Sequence, residues 1–239
     1  MRPGAIPLNL FERLFRRDVA LTATQRERLE AWRALPEPDA SASPADVRLI
    51  VVDVEATGLD LRNDRLIAIG AVTLDRLRID LGRSFYVVLR QPQASSNDNI
   101  LVHGIGGTAQ REGVPPAEAL LDFLEFAGKA PLIAFHAGFD HGMLRRATAE
   151  HLGEPFRRMW IDLAYVAPDA LPAEARKRKA LDDWLALYAI PVFARHDAVA
   201  DAFATAQLFQ ALHDTARAAG FDTLAKLRWD PEASRWVRR

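Results

Sequence analysis

Apolar and polar positions along the chain change rhythm from strand-like to helix-like. Arg48 to Val54 is a nearly continuous apolar run, the pattern of a strand covered on both faces. Arg65 to Leu74 and Ser84 to Leu89 are the next two strand candidates, and their short connections suit antiparallel neighbours. Pro115-Pro116 opens a helix running to about Gly128, with proline placed where a helix does not miss its amide. Pro131 to Phe135 predicts a fourth strand, Phe139 to His151 a helix, and Arg158 to Ile161 a short fifth strand. Helical stretches follow near 162–167, 179–189 and 197–216. The order predicts an α/β domain, a mixed five-stranded sheet flanked by helices.

Outside that domain the pattern weakens. Residues 7–35 carry Leu10, Leu14, Leu21, Leu29 and Trp32 at roughly helical spacing, with Thr22 or Thr24 available to cap a second short helix. Pro36 to Pro44 is rich in proline and small polar residues and reads as a linker. The expected organisation is therefore a helical extension and linker over 1–45, a domain over 46–217, and a short basic tail over 218–239. The extension reads as an arm for a protein partner; the other reading is a helix laid on the domain's own surface. The tail, ending Arg235-Trp236-Val237-Arg238-Arg239, either reaches for nucleic acid or a partner or folds back.

Composition narrows the partners. Net charge is −1, from 31 Lys and Arg against 32 Asp and Glu, so any affinity for nucleic acid must come from local patches or bound cations. Cysteine is absent, which excludes disulfides, thiolate zinc sites and a cysteine nucleophile. The uncharged stretch Trp184 to Ala194 is broken by Pro191 and is too short to span a membrane, which needs ~18 apolar residues. Asn9 to Phe15 carries Glu12 and Arg13 and does not resemble a signal peptide. The expected location is the cytoplasm, with no membrane partner.

Three short pieces carry acid. Asp53 and Glu55 stand two apart at the end of the first strand, so both project from one face. Two carboxylates there repel unless a cation lies between them, and hard oxygen donors suit Mg²⁺ or Mn²⁺. Asp140 follows Phe139 at the start of a helix, where the helix dipole favours an anion. His196 precedes a helix that carries Asp201 one turn in, and Ala198, Ala200 and Ala202 let that helix approach the sheet closely. Each piece alone has a plain structural account: a solvated strand end, a helix-terminal acid, an Asp197 N-cap beside a surface histidine. His136 and His141 lack a third ligand, so zinc is not favoured. Together the pieces supply four carboxylates and an imidazole, enough to hold two divalent cations and activate a water.

In this arrangement the chain resembles the DEDDh 3′–5′ exonucleases, a group with the ribonuclease H-like fold that includes the proofreading epsilon subunit of the bacterial replicative polymerase. The family's D-x-E-T-T-G-L stands here as Asp53-Val54-Glu55-Ala56-Thr57-Gly58-Leu59. Asp64 to Gly70 resembles the strand that follows, and Val102-His103-Gly104-Ile105 the family's H-G-I segment against the substrate. Ile133 to Asp140 resembles the second motif and His196 to Asp201 the third, over roughly residues 46–216. Ala56 replaces a usual threonine, and Phe135-His136 a frequent His-Asn.

The resemblance implies two cations, with Asp53 bridging them and Glu55, Asp140 and Asp201 completing their shells. His196 then takes a proton from the attacking water. Thr57, Gly58, Leu59, His103, Gly104, Ile105 and Phe139 are the implied substrate contacts. The implied activity acts on single-stranded 3′ ends of DNA, in preference to RNA, in proofreading or repair; an oligoribonuclease-type enzyme and a non-catalytic scaffold of the same fold are the competing readings. Arg176-Lys177-Arg178-Lys179 reads as a phosphate-holding patch or a solvated loop. Gln207-Leu208-Phe209, Trp184 and Leu185 read as packing residues.

Overall fold

The computed structural model describes residues 19–230. Strand β1 (Arg48–Ala56) lies at the centre of the sheet, with Leu49 to Val52 almost entirely excluded from solvent. It pairs antiparallel with β2 (Leu66–Asp75) and parallel with β4 (Leu132–Ala134). Strand β3 (Arg78–Val88) closes one edge against β2, and β5 (Trp160–Asp162) runs parallel to β4.

The expected count of five strands needs correction. Arg228–Trp229 forms β6, antiparallel to β5, so among the described residues the sheet has six strands in the order β3-β2-β1-β4-β5-β6. Two residues are too few for a periodic signal, and only pairing with Trp160 and Ile161 makes them a strand. Strand β3 also starts six residues earlier than expected. Its turn, Arg76-Leu77, has both residues at positive φ without the Asn-Gly or Asp-Gly signature of such hairpins.

The alternation of β1 assigns its two faces. Ile50, Val52 and Val54 pack with α4 (Pro116–Ala127) and α5 (Gly138–His151). Leu49 and Val51 face α6 (Leu163–Ala170), α8 (Leu181–Leu187) and the long α9 (Ala198–Ala218). Asp53 and Glu55 continue the second row and so emerge on the α9 side. Leu208, Phe209, Trp184 and Leu185 are buried in that core, as expected of packing residues. The reading missed the short helices α2 (Asn97–His103), α3 (Gly107–Glu112) and α7 (Pro172–Ala175), none long enough to show a period.

The extension is not a free arm over its described part. Helix α1 (Ala23–Arg33) begins at Thr22, whose side chain and that of Gln25 form a capping box. Leu29 and Trp32 are buried in the core that includes α4, and Trp32 Nε1 donates to the Gly128 carbonyl at 2.9 Å. Arg28 reaches Glu118, Asp122 and Glu125 along α4 at 2.6–2.7 Å. Over these residues the helix lies on the domain's own surface, the second of the two expected readings, with its apolar face covered; positions 7–18 lie outside the described residues. The expected linker is also held: Leu224 and Ala225 at and beside the start of α10 (Leu224–Leu227) donate backbone hydrogen bonds to Ala42 and Ala40 at 3.0 and 2.8 Å. The tail thus folds back through residue 230, while Arg235 and Trp236 lie outside the described residues.

Candidate active site

The end of β1 sets the first two acids. The register slips between Glu55 and Ala56, ending the regular ladder, and the chain turns back to β2. Thr57 serves that turn: its hydroxyl donates to Asp64 Oδ1 at 2.8 Å and accepts from the Arg65 amide at 2.9 Å. Asp64 Oδ2 also accepts from the Asp60 amide, which leaves Leu59 at the loop crest, 87% exposed. Gly58 lies so close to this knot that a Cβ would meet the Asp64 carboxylate at 2.5–2.9 Å.

The junction of β4 with α5 sets Asp140. His136 has φ 63°, an unfavourable conformation for a residue with a side chain, and its amide donates to Asp162 Oδ1 at 2.9 Å. Asp162 is buried and also caps α6. Sequence reading passed it over, although an acid directly after a short strand and before a helix is an N-cap signal. Asp140 is buried in the first turn of α5 and accepts from the Val54 amide at 3.1 Å. His141 packs edge-on against Trp160 and Trp229, and burial pushes its imidazole down to about 4.

Helix α9 brings the third piece. Gly70 of β2 lets it approach: a Cβ there would stand 2.3–2.6 Å from backbone atoms of Ala198 and Val199. Asp197 caps the helix through the amides of Val199 and Ala200, as its structural reading held. Gly70 is also the register partner of Asp53 on one side and Tyr86 on the other, placing these two side chains on one face. His196 has φ 62°, and its amide donates to Asp201 Oδ2 at 2.9 Å. The other Asp201 oxygen is ion-paired with Arg195, whose Nε lies 2.9 Å from Asp182 Oδ1.

These elements enclose a cleft of 580 Å³. Asp53, Glu55, Gly58, Leu59, Phe139, His196 and Asp201 line it, and the buried Asp140 is not on its wall. Thr57, His103, Gly104 and Ile105 are not on its wall. His103 is buried, accepting from the Ile105 amide at 2.9 Å and bonded to Asn99 at 2.8 Å, while Gly104 ends α2 at φ 72°. That segment therefore scaffolds α2, which presents Asn99 and Val102 to the cleft. Val102 entered the sequence reading only within the H-G-I-like segment and Asn99 not at all, because their faces depend on a helix too short to predict.

The acids press on one another. Burial, then the charges of Asp140, Glu55 and Asp201, hold the Asp53 carboxyl well above the usual range. Burial does the same for Asp140, and pushes Glu55 to about 8 with help from Asp201 and Asp197. Arg195 opposes the shift at both Asp53 and Glu55. A cluster of hard oxygen donors whose negative charges repel one another, only partly offset by Arg195, fits divalent cations. As they stand, no three acids or histidines among the described residues are gathered around one point for an ion. Asp140 is turned to Val54, and Asp201 to Arg195 and the His196 amide.

Comparison with known proteins gives the family. The exonuclease (RNase T) family model matches residues 50–209, a span that holds every acid just described and His196. The chain belongs to the exonuclease family. The chain is 26% identical over 182 residues to the PolC-type DNA polymerase III of Thermotoga maritima, covering 76% of the chain and 13% of the relative. It is 28% identical over 163 residues to the DNA polymerase III subunit epsilon of Treponema pallidum, covering 68% and 75%. It thus spans about an eighth of the PolC-type relative's length. Escherichia coli exonuclease I, solved with a dA16 oligonucleotide, shares the fold at TM-score 0.63 and 16% identity over 72% of this chain and 42% of that one. The mixed sheet with helices on both faces is the ribonuclease H-like fold of these nucleases. Among the described residues no helix is long and apolar enough to cross a membrane.

Proposed function

We propose that this exonuclease works in the 3′–5′ direction on single-stranded nucleic acid, DNA in preference to RNA, releasing nucleoside 5′-monophosphates. The observation that carries the reading is that Asp53, Glu55, Asp140 and Asp201, from β1, α5 and α9, stand near enough to repel one another, with Arg195 among them as a partial counter-charge. Asp53, Glu55, Asp140 and Asp201 would hold two Mg²⁺ or Mn²⁺ ions, which when bound supply charge neutralisation and water activation at the phosphorus. A water oxygen forms the new bond to the terminal phosphorus, and the bond from phosphorus to the penultimate O3′ breaks. The terminal nucleotide leaves with a 5′-phosphate, and the shortened strand keeps a 3′-hydroxyl.

His196 takes the water's proton in this scheme. It stands on the cleft wall in a segment held by its backbone, so the imidazole is free to face the substrate. Leu59, Phe139 and Val102 offer apolar surface to the terminal bases. Arg176, Lys177 and Lys179 are exposed just before Ala180 and Leu181, which line the cleft, and this supports the phosphate-holding reading of that cluster. Ala56 is nearly buried, so the missing hydroxyl there removes a contact rather than a ligand. Phe135 packs edge-on to His136, whose ring centroid is 4.9 Å away.

The dA16 ligand of exonuclease I supports the preference for single-stranded DNA. The names of the PolC-type and epsilon relatives support a place in proofreading or repair beside a polymerase. Helix α1 is not assigned to that partner, since Leu29 and Trp32 face this chain's own core. The deciding assay incubates the protein with 5′-labelled single-stranded DNA and RNA in Mg²⁺, Mn²⁺ or EDTA. Products shortening one nucleotide at a time from the 3′ end, abolished by EDTA and faster on DNA, are expected. Release of label as a mononucleotide at the first cut would reverse the direction, and faster RNA trimming would reassign the substrate.

A further inference from the structure

We propose that Arg195 is a resident counter-cation that occupies Asp201 until a divalent ion takes its place. The inference rests on the reading of the acid cluster as a metal centre and concerns how that centre fills.

Both oxygens of Asp201 are already engaged. Oδ1 is paired with the Arg195 guanidinium, and Oδ2 accepts the His196 amide at 2.9 Å. A divalent ion on that carboxylate would stand against the positive guanidinium, so the ion and the ion pair disfavour each other. The amide is fixed by the backbone, so the guanidinium is the partner that can leave. It has somewhere to stay: Arg195 Nε is 2.9 Å from Asp182 Oδ1 on α8, and the Asp182 side chain is 59% exposed against 6% for Asp201. The five N–H groups of one guanidinium allow it to bridge the two acids, then keep the outer one alone.

Arg195 stands among the acids as their cation. It opposes the charge repulsion felt by Asp53 and Glu55 as well as pairing with Asp201. An incoming divalent ion therefore competes with a charge already in place, and binding and release of Arg195 are one exchange.

The test measures Mn²⁺ binding by titration calorimetry on the full chain without substrate, for wild type, Arg195→Met, Arg195→Gln and Arg195→Lys. Removing the competing charge is expected to tighten Mn²⁺ binding about fivefold in the Met and Gln variants, the upper scale of a partly exposed ion pair. Lys keeps the charge and should stay within about twofold of wild type. In EDTA the Met variant should melt lower than wild type, and its rise on saturating Mn²⁺ should be larger. Added to Asp201→Asn, Arg195→Met should no longer tighten binding.

A purely structural tether predicts the opposite, since losing it would disorder the site and weaken Mn²⁺. Unchanged or weaker binding in folded Met and Gln variants overturns the latch while leaving the metal centre standing. No binding heat and no melting shift in any protein, wild type included, overturns the metal centre and the latch together.

Discussion

The amide of Val54 donates to Asp140 Oδ1 at 3.1 Å, joining the first turn of α5 to the strand residue that lies between Asp53 and Glu55. One hydrogen bond thus fixes the spacing of three of the four acids. Asp140→Asn keeps an acceptor oxygen for that amide but removes a buried charge that its neighbours oppose. In EDTA at pH 8 the variant should melt at or above the wild-type temperature. Its exonuclease rate should fall at least ~10³-fold, the scale of losing a group that stabilises transition-state charge. A variant that melted well below wild type would make Asp140 a structural residue instead.

Metal-free stability should fall as pH rises. Glu55 binds its proton up to about pH 8 in the folded protein, against 4.5 for the free side chain, and Asp53 and Asp140 shift in the same direction. The folded state then holds more protons than the unfolded one between those pH values, so stability is full below about 4.5 and is lost toward 8. Melting in EDTA should drop by on the order of 5 °C from pH 5.5 to 8.5. Saturating Mn²⁺ should reduce the drop, and thermal scans across that range with and without the ion check both parts.

Gly70 is a spacer between β2 and the start of α9. Its Cβ would stand within 2.6 Å of Ala198 backbone, which no rotamer change can relieve. Gly70→Ala should cost ~1–3 kcal/mol in urea unfolding, the usual range for overpacking. Because the displaced helix end carries His196 and Asp201, turnover should also fall more than about tenfold, a misplacement of about 1 Å being enough. Wild-type turnover in the folded variant would separate the helix position from the chemistry.

His196→Ala should lower turnover ~10²–10⁴-fold, the usual worth of a general base. Mn²⁺ affinity should stay near the wild-type value, because the imidazole is assigned to the proton and not to the ion. Calorimetry alongside single-turnover kinetics separates the two roles; a parallel loss of Mn²⁺ binding would move His196 to the metal.

Trp32 anchors α1 on the domain that carries the site. Trp32→Ala should cost ~3–5 kcal/mol, as for other buried large-to-small changes, and folded protein should retain its turnover. Equilibrium unfolding with an activity measurement at low denaturant checks this. Wild-type stability would return α1 to the role of a free arm.

The order of the candidate site's residues along the chain was legible in the residues themselves. Asp53-Val54-Glu55 closing an apolar run, an acid opening the helix at Gly138, and a histidine five residues before Asp201 are local patterns. Strand pleat, helix dipole and capping act over a few residues, so sequence carries them. Central β1, buried α9 and the packing of Leu208 and Phe209 followed from the same short-range periodicity. What waited for tertiary structure were partners far apart in the chain. Arg28 against α4, β6 against β5, His103 buried at the end of α2, and Arg195 between Asp182 and Asp201 depend on which surfaces meet. A two-residue strand, a Gly-free hairpin and an ion pair have no period of their own. They exist because neighbouring elements leave one satisfactory place for each backbone group, apolar face or charge.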